Sequence, residues 1–235
     1  MSDQELEYRR RNIDRIDRTI TALVAERVRV TYEIADLLTA DAAYQGAPGA
    51  FSEDAALELV GPAARLLPCP TLAHVFEAVA SGQARSAVVP IENSLAGEVP
   101  GCAKLMARYA VHIAAECVRP IRHALIGAPG STIESIRKVR SHPMALAQCE
   151  RFLQAHPSMT PVAAFDTAGA VAEIVADGLP TAAAIASARA ARIYGAVAIV
   201  DDIQDRPDNR TRFLLLKSRN GRATDGHMKI EGRIT

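Results

Sequence analysis

The chain has no apolar run long enough to cross a bilayer, and its opening stretch from Met1 to Arg11 lacks the apolar centre of a signal peptide. It has no excess of either charge: 27 basic and 27 acidic residues give a formal net charge of +0. That balance argues against nucleic acid or an anionic membrane as the main partner. It has no paired CxxC spacing for zinc. Cys69, Cys102, Cys117 and Cys149 are scattered and read as small core residues in a reducing cytoplasm. The expectations are a cytoplasmic protein with no metal, no membrane contact and no nucleic acid. What is present is ordinary for a globular protein. The 235 residues are 49% hydrophobic and 23% charged, enough for one large domain or two small ones.

Near the start, apolar residues recur at Ile13, Ile16, Ile20, Leu23, Val30, Ile34 and Leu37, the spacing of a helical seam. One helix from about Glu7 to Leu38 is predicted, spanning roughly 48 Å at ~1.5 Å per residue. A stripe of that length needs a partner helix, and a second copy of the chain is the expected source. Arg27 occupies a seam slot; it either snorkels to solvent or points into an anion pocket.

From Ala43 onward, short β-rich runs alternate with helical stretches. Strands are predicted at Ala43–Gln45, Ser86–Ile91, His123–Gly127, Lys138–Arg140, Pro161–Phe165, Ala182–Ala186, Ala196–Val200 and Arg212–Lys217. Helix starts are read at Thr71, at a capping box Ser131-x-x-Glu134, at His142-Pro143, at Asp166 or Thr167, and at Ser187. Gly82, Gly178 and Gly195 mark stops. The fold class is α/β, with parallel-rich sheets and flanking helices. Val118–Arg122 and Asp201–Arg210 read as crossings between two lobes, with a cleft at the strands' carboxyl ends. That is also the architecture of periplasmic-binding-protein-like solute binders. The expected layout is a long helix over 1–40, a first lobe from 42–118 plus 205–218, a second lobe over 119–204, and a tail over 219–235. The tail's Gly226-His227-Met228 and Ile230-Glu231-Gly232-Arg233 look vector-derived.

Two motifs carry the chemistry. Val89-Pro90-Ile91-Glu92-Asn93-Ser94 delivers a carboxyl, an amide and a hydroxyl at a buried strand edge. Asn209-Arg210-Thr211-Arg212-Phe213 delivers an amide, a hydroxyl, a cation and an aromatic face at another strand start. Together they suit gripping a small polyanion and protonating a leaving hydroxyl. The glycine turn Gly46 to Ser52, His142-Pro143, Asp166-Thr167 and Ala186-Ser187 each place a helix start after a strand. Such starts bind carboxylates through unbonded N–H groups, or the hydroxyls simply cap the helices. No Lys-Ser or Lys-Thr follows the glycine turn, so it does not match a P-loop.

Five ordered segments carry a resemblance: Gly46 to Ser52, Val89 to Ser94, Ser141-His142-Pro143, Asp166-Thr167-Ala168, and Asn209 to Phe213. Across Ala43 to Leu216 the body resembles the prephenate dehydratases. The resemblance implies conversion of prephenate to phenylpyruvate, with loss of water and carbon dioxide, in phenylalanine biosynthesis and with no cofactor. It implies Thr211 as the essential hydroxyl, with Glu92 as the candidate relay for its proton. Substrate contacts are expected from Asn93, Ser94, Gln148, Thr167, Ala168, Ser187, Arg212 and Phe213. The alternatives are a salt bridge for Glu92, an exposed edge position for Arg212 and plain core for Phe213. The chain departs from the family at Met144, where glutamine is common, and at Ala50, where a hydroxyl residue is common.

Through Arg10 and Arg27 the first helix resembles that of the all-helical chorismate mutases, although Leu38 stands where a lysine is expected. It is read as a remnant that pairs two chains. No room for the family's regulatory ACT domain follows the last strand, so a homodimer without phenylalanine feedback is expected. An arogenate dehydratase and a non-catalytic two-lobed anion binder are the alternatives.

Overall fold

The computed structural model describes residues 38–219 and, ahead of them, single positions between 9 and 30. The chain divides into two compact units, Met1–Thr39 and Ala40–Thr235. In the first, every described position from Arg9 to Val30 is helical. Ile13, Ile16, Ile20 and Leu23 lie on this helix and are 47–64% exposed. Ile34, Leu37 and the tail beyond Arg219 fall outside the described residues.

The second unit is built on two sheets. The first holds β1 (Ala42–Gln45), β2 (Leu66–Cys69), β3 (Ser86–Asn93), β4 (Gly97–Glu98), β5 (Val111–Pro120) and the last strand, β11 (Arg210–Ser218). Its order is β2-β1-β3-β11-β5, with β4 paired to β3. The second holds β6 (Ala124–Gly127), β7 (Lys138–Ser141), β8 (Thr160–Ala163), β9 (Ala182–Ala186) and β10 (Val197–Val200), in the order β10-β6-β9-β7-β8. β1 runs parallel to β2 and β3, and β7 parallel to β8 and β9. The antiparallel pairs are β3–β4, β3–β11, β11–β5, β6–β9 and β6–β10.

Most predicted helix ends have a visible cause. Thr71, Asp166 and Ser187 cap their helices by accepting from His74 N, Gly169 N and Ala190 N, and Pro143 opens the helix after His142. The capping box is a correction. Residues 133–135 form a turn instead of a helix, and Ser135 Oγ accepts from Thr132 N at 3.1 Å. A hydroxyl that bonds backbone locally competes with helix formation. β5, the longest strand, has no counterpart among the predicted ones. It is an edge strand with most positions exposed, so it lacks the alternation of a half-buried one.

One hydrophobic cluster joins the two sheets. Tyr44, Ala55, Val88 and Phe213 share it with Ile126, Ala168, Val171 and Ala190. Its many alanines let the two halves approach closely. At the tightest point Ser187 Oγ donates to the Gly49 carbonyl at 2.8 Å. Beside it Arg189 pairs with Glu53, and with Asp54 at 3.2 Å. Burial raises the pKa of Asp54 while Arg189 pulls it down. Gly49 has φ +91°, and a Cβ there would sit 2.8 Å from the Ala190 Cα. Gly82 has φ +79° but meets nothing within 4 Å. Gly49→Ala is therefore expected to cost about 2–4 kcal/mol, from backbone strain plus a clash with main chain. Gly82→Ala should cost only about 1 kcal/mol. Urea unfolding of both variants checks this; equal losses would remove the packing term.

Candidate active site

Between the sheets lies a cavity of about 410 Å³, within the usual range for small-molecule sites. Asn93, Pro90, Thr211 and Phe213 come to it from the first sheet. His123, Gln148 and Thr167 come from the second-sheet half.

At the cavity wall three side chains far apart in sequence form one network. The Asn93 amide nitrogen donates to Asn209 Oδ1 at 2.8 Å and to Thr211 Oγ1 at 2.9 Å, with the Arg210 carbonyl at 3.1 Å. Its orientation is fixed, because Asn93 Oδ1 accepts from the N–H groups of Leu95 and Ala96, both at 3.0 Å. A carbonyl oxygen can accept two such bonds and an amide nitrogen cannot. Thr211 Oγ1 thus receives a proton from Asn93 and keeps its own. That hydroxyl proton has no acceptor among the described residues. Thr211 is buried and lines the cavity, so the hydroxyl is positioned to donate to a bound molecule.

Strand geometry decides which neighbours join it. Side chains alternate along a strand, so with Thr211 and Phe213 at the cavity, Arg212 faces the other way. Arg212 lies opposite Glu92 in the ladder, and its guanidinium meets the Glu92 carboxylate at 3.5 Å and that of Glu116 at 3.4 Å. Neither Glu92 nor Arg212 lines the cavity. This corrects the expected meeting of Glu92 with Thr211: the carboxylate sits on the opposite face of the sheet. The register shift between Arg212 and Phe213 inserts Ile91 into β3, so Pro90 and Asn93 both face the cleft.

Three further expectations also change. Ser94 Oγ accepts from Arg210 N at 2.9 Å, tying the end of β3 to the start of β11 outside the cavity. Ala168 is fully buried in the core. Ser187 is spent on Gly49 and on its own helix cap. Asn93, Gln148, Thr167, Thr211 and Phe213 are brought together.

Among the described residues no lysine or arginine lines the cavity. Three helix starts do: Ala50, Phe51 and Ser52 at helix Phe51–Val60, His142 and Met144 at helix Pro143–Ala147, and Asp166 and Thr167 at helix Thr167–Asp177. Helix starts carry unbonded N–H groups and a partial positive charge. Met144 and Ala50, the two departures from the family pattern, both line it and make the wall more apolar. His123, Glu98 and Phe165 also line it and were missed as site residues. His123 had only been read as the start of a strand; Glu98 and Phe165 carried no motif. All four cysteines are buried and unpaired, and burial pushes the Cys149 thiol up to about 12. They are core groups, not nucleophiles.

The fold and cleft define a two-lobed α/β protein with helix starts and a buried threonine hydroxyl set into the wall of its cleft. The chain belongs to the prephenate dehydratase family, whose description matches residues 42–221. It is 45% identical over 174 residues to arogenate dehydratase/prephenate dehydratase 2, chloroplastic, of Arabidopsis thaliana, covering 74% of this chain and 45% of that protein. The prephenate dehydratase of Arthrobacter aurescens, solved with L-Phe, superimposes with a TM-score of 0.69 at 32% identity, over 79% of this chain and 62% of that one. A structure described as GqqA, a novel type of quorum quenching acylase, gives a TM-score of 0.69 at 36% identity, over 78% and 66%. The chain spans less than half the length of the curated relatives it matches.

Burial lowers the pKa of His123, while its bond to Gln148 opposes this. The unfolded imidazole titrates near its ordinary value of about 6.5. Below that value the unfolded chain takes up a proton that the folded chain resists, so stability falls as pH falls. Urea unfolding at about pH 7 and about pH 5 should show a loss that shrinks in His123→Asn. An unchanged loss would show that other groups set the acid limb.

Proposed function

We propose that the cleft converts prephenate to phenylpyruvate. The ring carboxylate leaves as carbon dioxide, and its bonding electrons enter the ring. The ring carbon–hydroxyl bond then breaks, and the departing hydroxide takes a proton to leave as water. One proton is consumed overall and no redox step is involved. Thr211 donates its hydroxyl hydrogen bond to the departing oxygen. The Asn93 N–H on Thr211 Oγ1 stabilises the negative charge that grows there. Help of this kind is typically worth roughly 10²–10⁴ in rate. The observation that carries the reading is the Thr211 hydroxyl proton, which has no acceptor among the described residues and lies at the cavity wall. The helix starts at Phe51 and Thr167 hold the substrate carboxylates, and Phe213, Phe165 and Met144 wall its ring.

A second reading, arogenate as the preferred substrate, is favoured by the names of the curated relatives, several of them arogenate dehydratases. It is also favoured by Glu98 and Asp166 at the cavity, which suit an ammonium group. We assign residues 42–118 plus 205–218 to one lobe and 119–204 to the other, a division that sheet membership supports except that β5 of the first sheet runs on to Pro120. The exposed helical stripe of Ile13, Ile16, Ile20 and Leu23 supports pairing of two chains through the first unit. The buried unpaired thiols support a reducing compartment such as the cytoplasm. No helix among the described residues is long and apolar enough to cross a membrane.

Purified protein given prephenate or arogenate in parallel tests the reading; no turnover of either above the spontaneous rate sinks it. Thr211→Ala should lower kcat at least about 100-fold, and Thr211→Ser should keep most of it. Asn93→Asp, which loses the donor to Thr211, should fall by a similar factor of about 100. Glu92→Gln should stay within about threefold of wild type, being on the other face of the sheet. A large loss at Glu92 with Thr211→Ala near normal would reverse these roles.

A further inference from the structure

His123 is 2% exposed and lines the cavity, yet the dehydratase reading gives it no task. It sits where the chain crosses to the second sheet. Its backbone N–H donates to Gln204 Oε1 at 2.8 Å, and its carbonyl accepts from Ile203 N at 2.9 Å. The ring stands edge-on to Phe51, centroids 5.5 Å apart and planes at 83°. Both backbone and ring are therefore held. Its Nε2 lies 3.0 Å from Gln148 Oε1, while Nδ1 is buried with no partner.

An amide oxygen only accepts, so Nε2 carries the ring proton. The opposite arrangement would leave Nδ1–H as a buried donor with no acceptor, and orphaned buried N–H groups are rarer than under-used acceptors. With its oxygen turned to His123, Gln148 directs its amide nitrogen elsewhere. That nitrogen has no partner among the described residues and is not among the buried unpaired atoms. Gln148 lines the cavity, and its carbonyl is tied to Asp205 N at 2.8 Å. The amide thus presents two N–H donors to the cleft, in a cavity without lysine or arginine. Burial lowers the His123 pKa, so the ring stays neutral at pH 7 and adds direction without a charge.

We propose that His123 is a positioning residue: as an Nε2–H imidazole it locks the Gln148 amide so that both amide protons face the substrate's oxygen atoms. This rests on the dehydratase reading only for the identity of the substrate. A positioning role differs from a packing role in that it runs through Gln148 alone. Gln at position 123 can place an N–H near the Nε2 position, whereas Asn can reach only the Nδ1 position.

The test compares wild type, His123→Asn, His123→Gln, Gln148→Ala and the double variant His123→Asn/Gln148→Ala. KM for prephenate and the calorimetric Kd for phenylpyruvate are both read. His123→Asn should raise both about tenfold, the loss of one aligned bond to a charged group, with kcat within about threefold. His123→Gln should restore them. Adding Gln148→Ala to His123→Asn should cost nothing further. Losses that multiply, or a His123→Gln no better than His123→Asn, would overturn the proposal. Nitrogen-15 spectra of the wild-type ring should show the Nε2–H tautomer, and an Nδ1–H ring would also overturn it. A chain that binds phenylpyruvate but does not turn over prephenate would defeat the dehydratase reading, and the cycle on Kd would still decide the role of His123. Should phenylpyruvate not bind either, the ring tautomer decides it.

Discussion

The insertion of β11 between β3 and β5 is the constraint on which the rest depends. It joins the end of the described chain to strands laid down long before, and it sets Thr211 opposite Asn93 across 118 residues. Closing so long a loop costs only slowly growing entropy, and the β3–β11 ladder repays it. The crossings are fastened to each other: Ile121 N donates to the Asn209 carbonyl, and Ile203 N to the His123 carbonyl, both at 2.9 Å. The Thr211–Asn93 contact lies within the first sheet, and the segment that builds the second sheet is the loop it closes.

On the proposed reading, the cleft holds anions without spending cations on them. The part-buried arginines are used elsewhere, Arg189 on Glu53 and Asp54, and Arg140 on Glu173 and Asp177. That leaves helix starts and amide N–H groups to face the cavity. Such donors are fixed by backbone geometry, so they need little reorganisation when charge moves. The formal net charge of +0 fits a site of this kind, in which local dipoles and not a basic surface do the binding.

Much of the scaffold was legible from capping chemistry. Thr71, Asp166 and Ser187 each announced a helix because a side-chain acceptor must meet the first unbonded N–H groups, and Pro143 announced one because it suits a first helical turn. Ser131 and Glu134 announced one that does not form; there the nearby Ser135 hydroxyl accepts from Thr132 N in a local turn. Edge strand β5 was hidden for a related reason: exposed positions on both faces erase the period of two. The motifs also gave the right neighbourhood but not the right faces. Glu92 and Asn93 are adjacent, yet only Asn93 reaches the cavity.

The sequence by itself determined the fold class, the family and most element boundaries, and it singled out the motif that carries Thr211, since these follow from local periodicity, caps and ordered motifs. Tertiary structure decided who meets whom. A bulge at Ile91 set the side-chain phase that sent Glu92 to Arg212, and a chain crossing put His123 beside Gln148. The reason is that a strand's period is two, so one inserted residue exchanges inside for outside, and nothing in a linear text records the partner strand that imposes the insertion.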